Sequence, residues 1–196
     1  MDSGKTDGPW LEPGREAGLV LSAQKGERSA FLELIREYQR PLFRLCFAFT
    51  RDPAAAAHLA HESSLHAWRG LRHLPVGRPF FPWLARIARN LAVTRERRRA
   101  GDQPGRLPAA RPSGEAWYAP GLSVASVARD QRVLVAFSQL PPDEQMILAL
   151  RLCERLDYAA LGSVFECQVG AAMHRISVVR ERLDNAVGDD PAEAAA

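Results

Sequence analysis

Seven arginines, one asparagine and three aromatic side chains fall between Arg78 and Arg99 of this 196-residue chain. At about 100° per residue, Phe80, Leu84, Ile87 and Leu91 share one stripe of a helix. Arg86, Asn90, Val93 and Arg97 share another, with Arg89 beside it and Trp83 at the seam. The apolar stripe is a packing face. The other is a row of hydrogen-bond donors with an aromatic plate at its edge. Arginine holds phosphates, asparagine reads base edges, and an exposed ring stacks on an unpaired base. The same layout also fits an ordinary surface helix whose tryptophan closes the core.

A second arrangement lies in "LDYAALGSVFECQVGAAMHRISVVRERL". Two helices joined by a short turn at Glu166-Cys167-Gln168 have the proportions of a helix-turn-helix, whose second helix enters a major groove. Val164 and Val169 flank the turn and are expected to lock the helices together. A purely structural hairpin has the same spacing. Other chemistry is poorly provided for. His58, His61 and His66 lack a Cys or further acid to complete four ligands, so no metal is expected. Cys46, Cys153 and Cys167 form no CxxC pair and are read as reduced thiols. No nucleophile–base pair or glycine-rich phosphate loop stands out, which argues against an enzyme, a cofactor or a small-molecule substrate.

The elements that must position these residues are all helical, since no segment alternates at period two. Gly26 ends a first helix, Ser29 can cap the next, with Leu32, Ile35 and Tyr38 on its apolar face, and Pro41 starts a third. Asp52-Pro53 is a helix start, N-cap oxygen followed by proline, and that helix runs to about Leu71. "RHLPVGRP" is a loop before the arginine-rich helix. Residues 1–16 read as a disordered tail, 17–99 as one small domain, 100–125 as a flexible Pro/Gly-rich linker, 126–187 as a second domain and 188–196 as a frayed end. The two domains are expected to be loosely related in space. Their charges differ: residues 17–99 carry 15 basic and 6 acidic side chains, net +9, while residues 126–196 carry 7 and 11, net −4. The basic half suggests a polyanion partner. No apolar run reaches the roughly 18 residues of a membrane span. The N-terminus has no signal-peptide core, so the expected address is cytoplasmic without membrane insertion.

Taken in order, the two arrangements resemble a bacterial RNA polymerase sigma factor of the extracytoplasmic-function group, in the sigma-70 family. The matching runs are "AFLELIREYQRPLFRLC", "DPAAAAHLAHESSLHAWRGL" and "FPWLARIARNLAVTRERRR" in the first domain, and "LPPDEQMILALRLCERLDYAALGSVFECQVGAAMHRI" with "RERL" in the second. The resemblance implies an all-α fold of two small helical domains, a sigma region 2-like bundle and a sigma region 4-like helix-turn-helix module. It implies core RNA polymerase, promoter DNA and an anti-sigma factor as partners. In family terms Arg78, Phe80, Phe81, Trp83, Arg86, Arg89, Asn90 and Arg97 would hold the melted minus-ten strand, the first of them around a flipped base. Gln168, Ala171, Ala172, His174, Arg175 and Arg180 would face the minus-thirty-five element. Leu59, His61, Glu62 and Leu65 would dock on the polymerase clamp. The chain departs from the family at Ala54, Ala55, Ala57 and His58, where acids are usual, and at Ala171, Ala172, Met173 and Val178 of the recognition helix. Glu166 stands in the turn where glycine is common. These departures leave two other readings open: a sigma-like interaction protein with degenerate promoter function, and a stand-alone helix-turn-helix regulator.

Overall fold

Phe31, Leu34, Tyr38, Leu42 and Leu45 recur at intervals of three and four, and all five are buried. That stripe belongs to one helix, α2, which spans Arg28–Thr50 in the computed structural model. The structure describes residues 11–102, 133 and 135–188. Before α2 lies α1 (Pro13–Gln24), and after it come α3 (Pro53–Gly70), a single 3₁₀ turn at Leu71–His73 and α4 (Phe80–Asp102). A helical stretch at 135–139 leads into α5 (Pro142–Leu152), α6 (Tyr158–Phe165) and α7 (Val169–Gly188). No strand occurs among the described residues. Residues 100–102, expected to open the linker, instead continue α4; the rest of the proposed linker and the extreme termini lie outside the described residues.

Four expectations about α1 and α2 are corrected. Pro41 does not start a helix; it sits buried inside α2. A proline there forfeits one backbone bond, but the apolar stripe runs through it from Phe31 to Leu45 and holds the helix together. The helix begins at Arg28 with Glu27 at the N-cap, ahead of Ser29. Leu32 points away from the core and is 44% exposed. Finally, the N-terminal tail ends sooner than residue 16. Pro13 fixes the first turn of α1, and Glu16 anchors it. One Glu16 oxygen accepts the Phe80 N–H at 2.7 Å, and the other accepts the Tyr38 hydroxyl. The first of these bonds satisfies an orphan donor at the start of α4 and places a negative charge against its dipole.

The start of α3 is as expected: Asp52 Oδ1 accepts the Ala55 N–H at 2.6 Å. Ala56, Leu59, Ser63 and Ala67 face α2 and α4. On α4, Phe80, Phe81 and Leu84 fill the core, while Ala85, Ala88 and Ala92 let the helix approach closely. The loop between α3 and α4 is tied from below, where the Gln24 amide donates to the carbonyls of Leu71 and Leu74 at 3.0 and 2.8 Å.

The second domain is built around α5, whose Met146, Ile147, Leu148 and Leu150 are buried. Gln145 is buried too, and its amide donates to the Leu140 carbonyl at 2.7 Å. Leu161, Val164 and Phe165 of α6 and Ala172, Ile176 and Val179 of α7 complete this core. Asp157 caps α6 through the Ala160 N–H at 2.7 Å. The turn between α6 and α7 is residues 166–168, as expected. Glu166 adopts the left-handed conformation, φ 53°, at a cost of about 1–2 kcal/mol, and so ends α6 instead of lengthening it. Gly162 makes this turn possible. A Cβ there would lie 2.7 Å from the Cys167 carbonyl oxygen. Val169 is half exposed and locks nothing, in contrast to the buried Val164.

The domains are not loosely related. Helix α5 packs on α2, and α6 packs on α4. Opposite net charges, invisible as contacts in the sequence, are brought face to face.

Candidate nucleic-acid interface

The loop before α4 presents Arg78 to solvent. Its shape relies on Gly77 at φ 79°, a conformation glycine adopts without steric cost. Phe80 and Phe81 lie behind that loop and are fully buried. Phe81 stacks on Tyr38 with centroids 5.4 Å apart, and Phe80 meets Phe31 edge-on at 6.4 Å. The expectation that these two rings line a base pocket is therefore corrected: neither offers a face, and their role is to seat the loop. Trp83 is half-buried, 5.9 Å from the Phe80 ring and against Gly70 of α3. It sits at the seam, as the periodicity indicated.

Asn90 is exposed on the outer face of α4. Arg86 and Arg89 are there too, and Arg89 is occupied. Arg89 grips Asp143 of α5 with both arms of its fork, Nε to Oδ1 at 3.1 Å and Nη2 to Oδ2 at 2.7 Å. Its guanidinium lies 5.0 Å from the centre of the Phe165 ring, and its side chain is only 16% exposed. Arg86 Nη1 stands 3.8 Å from Glu166 Oε1. Further along α4, Arg95 is paired with Glu62 of α3. Arg97 belongs to the same helix.

A shallow groove between α2 and α3 is lined by Phe31, Leu32, Ile35, Phe43, Leu65 and Trp68, with His61 and Arg44 at its edges. Leu65 and Trp68 are 43% and 36% exposed. Of the four docking residues expected here, Leu59 is fully buried in the core and is corrected to a structural position. Glu62, the acid the family pattern retains, is committed to Arg95. His61 and Leu65 remain available. No cluster of three metal-ligating side chains occurs among the described residues.

Gln168 at the end of the turn and Ala171, His174, Arg175 and Arg180 on α7 are exposed. Ala172 is not: it is fully buried against the domain core and cannot meet DNA. Met173, half exposed, shares the outer face.

Sequence reasoning missed the residues that join the domains. Arg44 of α2 donates to Glu154 Oε1 from Nε at 2.8 Å and from Nη2 at 2.6 Å. Glu154 is buried, its other oxygen lacks a hydrogen bond, and among the described residues no other ion pair reaches it. Arg51 Nη2 donates to the Leu140 carbonyl at 3.5 Å. The only signal available was the charge imbalance between the halves.

Comparison with known proteins agrees with this architecture. Residues 34–101 match the family model described as Sigma-70 region 2. The chain is 30% identical over 179 residues to the RNA polymerase sigma-H factor of Pseudomonas aeruginosa, covering 86% of this chain and 92% of that protein. It is likewise 30% identical over 177 residues to the ECF RNA polymerase sigma-E factor of Salmonella typhimurium, with coverage of 86% and 92%. ECF RNA polymerase sigma factor SigW of Bacillus subtilis is 24% identical over 178 residues, 87% of this chain and 95% of that protein. Solved structures share the fold. The sigma factor RpoE, in complex with the anti-sigma factor NepR from Bartonella quintana, superposes with a TM-score of 0.67 at 20% identity, covering 82% of this chain and 98% of that one. CnrH, in complex with the cytosolic domain of CnrY, gives 0.67 at 19% identity, with coverage of 90% and 99%.

Proposed function

Because the chain belongs to the sigma-70 family, in its extracytoplasmic-function group, we propose that it works as an alternative sigma factor: it binds core RNA polymerase, recognises promoters and opens them for initiation. The polymerase makes the bonds, and this chain's own groups position DNA. The observation that carries the reading is the outer face of α4, where exposed Asn90 lies beside Arg86 and Arg89 on a helix whose opposite face is locked into the core. A row of that kind suits a displaced strand, phosphates on arginine and a base edge on asparagine. Residues 17–99 are assigned the role of region 2, and residues 126–187 that of region 4.

The exposed loop with Arg78, seated on buried Phe80 and Phe81, is the assigned site of the flipped base, with Trp83 at its inner wall. The groove around Leu65 and Trp68 is the assigned docking face for the polymerase, with His61 at its edge. It is apolar where acids would be usual, so its contact with polymerase rests on burial more than on charge. In the second domain Gln168, Ala171, His174, Arg175 and Arg180 are assigned to the duplex. An anti-sigma factor is a further partner, by analogy with the complex of RpoE and NepR.

Open-complex formation with Asn90→Ala tests the reading. Loss of one base contact is expected to cost roughly 1–3 kcal/mol, about a tenfold to hundredfold drop in melted promoter, with helicity intact by circular dichroism. A folded Asn90→Ala chain that melts promoters normally rules out the base-reading role.

A further inference from the structure

The outer side of α7 is poor in the polar side chains that usually read base edges, although it is the second helix of a helix-turn-helix. Its charge still suits duplex DNA. Residues 167–180 contain two arginines, one histidine and no acid, inside a domain whose net charge is −4. Acids resume only at Glu181 and Asp184. A stretch clear of carboxylates in an acidic domain has the charge of a surface that meets a polyanion.

The shape of this surface shows what it can read. Ala172, Ile176 and Val179 turn one side of α7 into the core. At about 100° per residue, Gly170, His174 and Ser177 point away from that core, and all three are exposed. Ala171 and Met173 form the two shoulders of the outer face, and Met173 is 50% exposed. Arg175 lies further round the helix beyond Ala171, and Arg180 beyond Met173. The centre line is low: Gly170 has no side chain, a Cβ there would meet nothing within 4 Å, and Ser177 is small. The helix can therefore sit deep in a groove and bring both shoulders against base edges. Ala171 offers them a methyl, and Met173 a thioether that is at most a weak acceptor. Neither can donate a hydrogen bond to a base. The apolar group that a base pair presents in the major groove is the C5 methyl of thymine. The arginines, set further round, face the phosphate walls.

We propose that Met173, together with Ala171, sets the base specificity of α7 by packing against thymine methyl groups, so that the upstream promoter element is chosen by the methyls of its A·T pairs. The proposal rests on the sigma-factor reading for which duplex the helix meets. Arg175 and Arg180 supply sequence-independent attraction and fix the register on the phosphates. Met173 is suited to the task because its unbranched, polarizable chain adapts to an apolar contour.

The test uses the full chain with core RNA polymerase on a promoter mapped by its transcript start. Each thymine of the upstream element is replaced in turn by uracil, which pairs with adenine in the same way and lacks only the methyl. Binding of the polymerase complex is followed by fluorescence anisotropy. The wild type is expected to lose about fourfold in affinity at one or more thymines, the worth of one methyl-sized apolar group. Met173→Ser, with its fold checked by circular dichroism, is expected to bind the thymine template about fourfold more weakly and to show no uracil penalty at the position Met173 touches. Ala171→Ser, an independent variant, is expected to erase the penalty at a different thymine. Arg175→Gln is expected to weaken thymine and uracil templates equally and to reduce the salt dependence. An upstream element with no uracil-sensitive thymine overturns the proposal. A uracil penalty that survives in full in both Met173→Ser and Ala171→Ser overturns it as well. Should the wild type with core polymerase yield no start sites at all, the sigma-factor reading fails and this proposal falls with it, an outcome distinct from the other two.

Discussion

Arg44 offers a direct measure of how much the domain contact contributes. It is the ion-pair partner of Glu154, whose side chain is 3% exposed while that of Arg44 is 39% exposed. Both hydrogen bonds from Arg44 end on Oε1, and Oε2 is buried without a partner. Replacing Arg44 by Met keeps the stem and removes the charge. The carboxylate is then buried and uncompensated, a change that costs about 3–5 kcal/mol in comparable sites. Because Arg44 itself is partly in water, the lower end, about 3 kcal/mol, is the expected figure. At roughly 2–4 °C per kcal/mol for a chain of this size, the melting midpoint should fall by about 6–12 °C. Should the domains part to hydrate Glu154, the loss appears instead as a larger radius of gyration. Arg44→Met with Glu154→Leu should recover most of the stability, since an apolar pair can replace a buried ion pair at little cost. Calorimetry and small-angle scattering on the three chains decide it. An Arg44→Met chain with unchanged midpoint and unchanged compaction refutes the reasoning.

Three further outcomes follow from the same geometry. Gly162→Ala should destabilise the second domain by about 1–3 kcal/mol in urea unfolding, because its Cβ would meet the Cys167 carbonyl at 2.7 Å; Gly18→Ala, a helical site with nothing within 4 Å, should instead stabilise by about 0.5–1 kcal/mol. Glu16→Ala removes acceptors from the Tyr38 hydroxyl and the Phe80 N–H and should cost about 1–3 kcal/mol in the first domain, read as a lower denaturation midpoint. Burial pushes the Cys46 thiol up to about 12 from 9.0; the folded state thus holds its proton longer than the unfolded one, so this contribution is complete below pH 9, is lost as pH rises toward 12, and should leave Cys46→Ala with a shallower alkaline decline in stability.

Local chemistry was legible where one or two residues decide it. Asp52-Pro53 announces the start of α3 because a capping oxygen and a fixed φ act on the chain at that point alone. The packing face of α4 was legible in part, with Phe80 and Leu84 buried and Ile87 and Leu91 half-buried, because periodicity is a property of the helix itself. Pro41 misled for the complementary reason: its stop signal is local, but five buried side chains along α2 outweigh it. Leu59 and Ala172 were misplaced when roles were carried by position, which says nothing about which face of α3 or α7 turns inward. The domain contact could not be read at all. Arg89 and Asp143 lie 54 residues apart, and charge totals give the sign of an attraction without its address. Glu16 was lost within a polar, Gly/Pro-rich stretch because its partners, Tyr38 and Phe80, become neighbours only after α1 docks.

The central claim is tested most directly by transcription from purified components. Core RNA polymerase is supplied with this chain and fragmented genomic DNA from the source organism, and transcript 5′ ends are mapped with and without it. The account predicts discrete start sites that appear only with the chain and share spaced promoter elements upstream, and that weaken when Asn90 is replaced by Ala. A folded chain that yields no start sites beyond those of polymerase alone contradicts it.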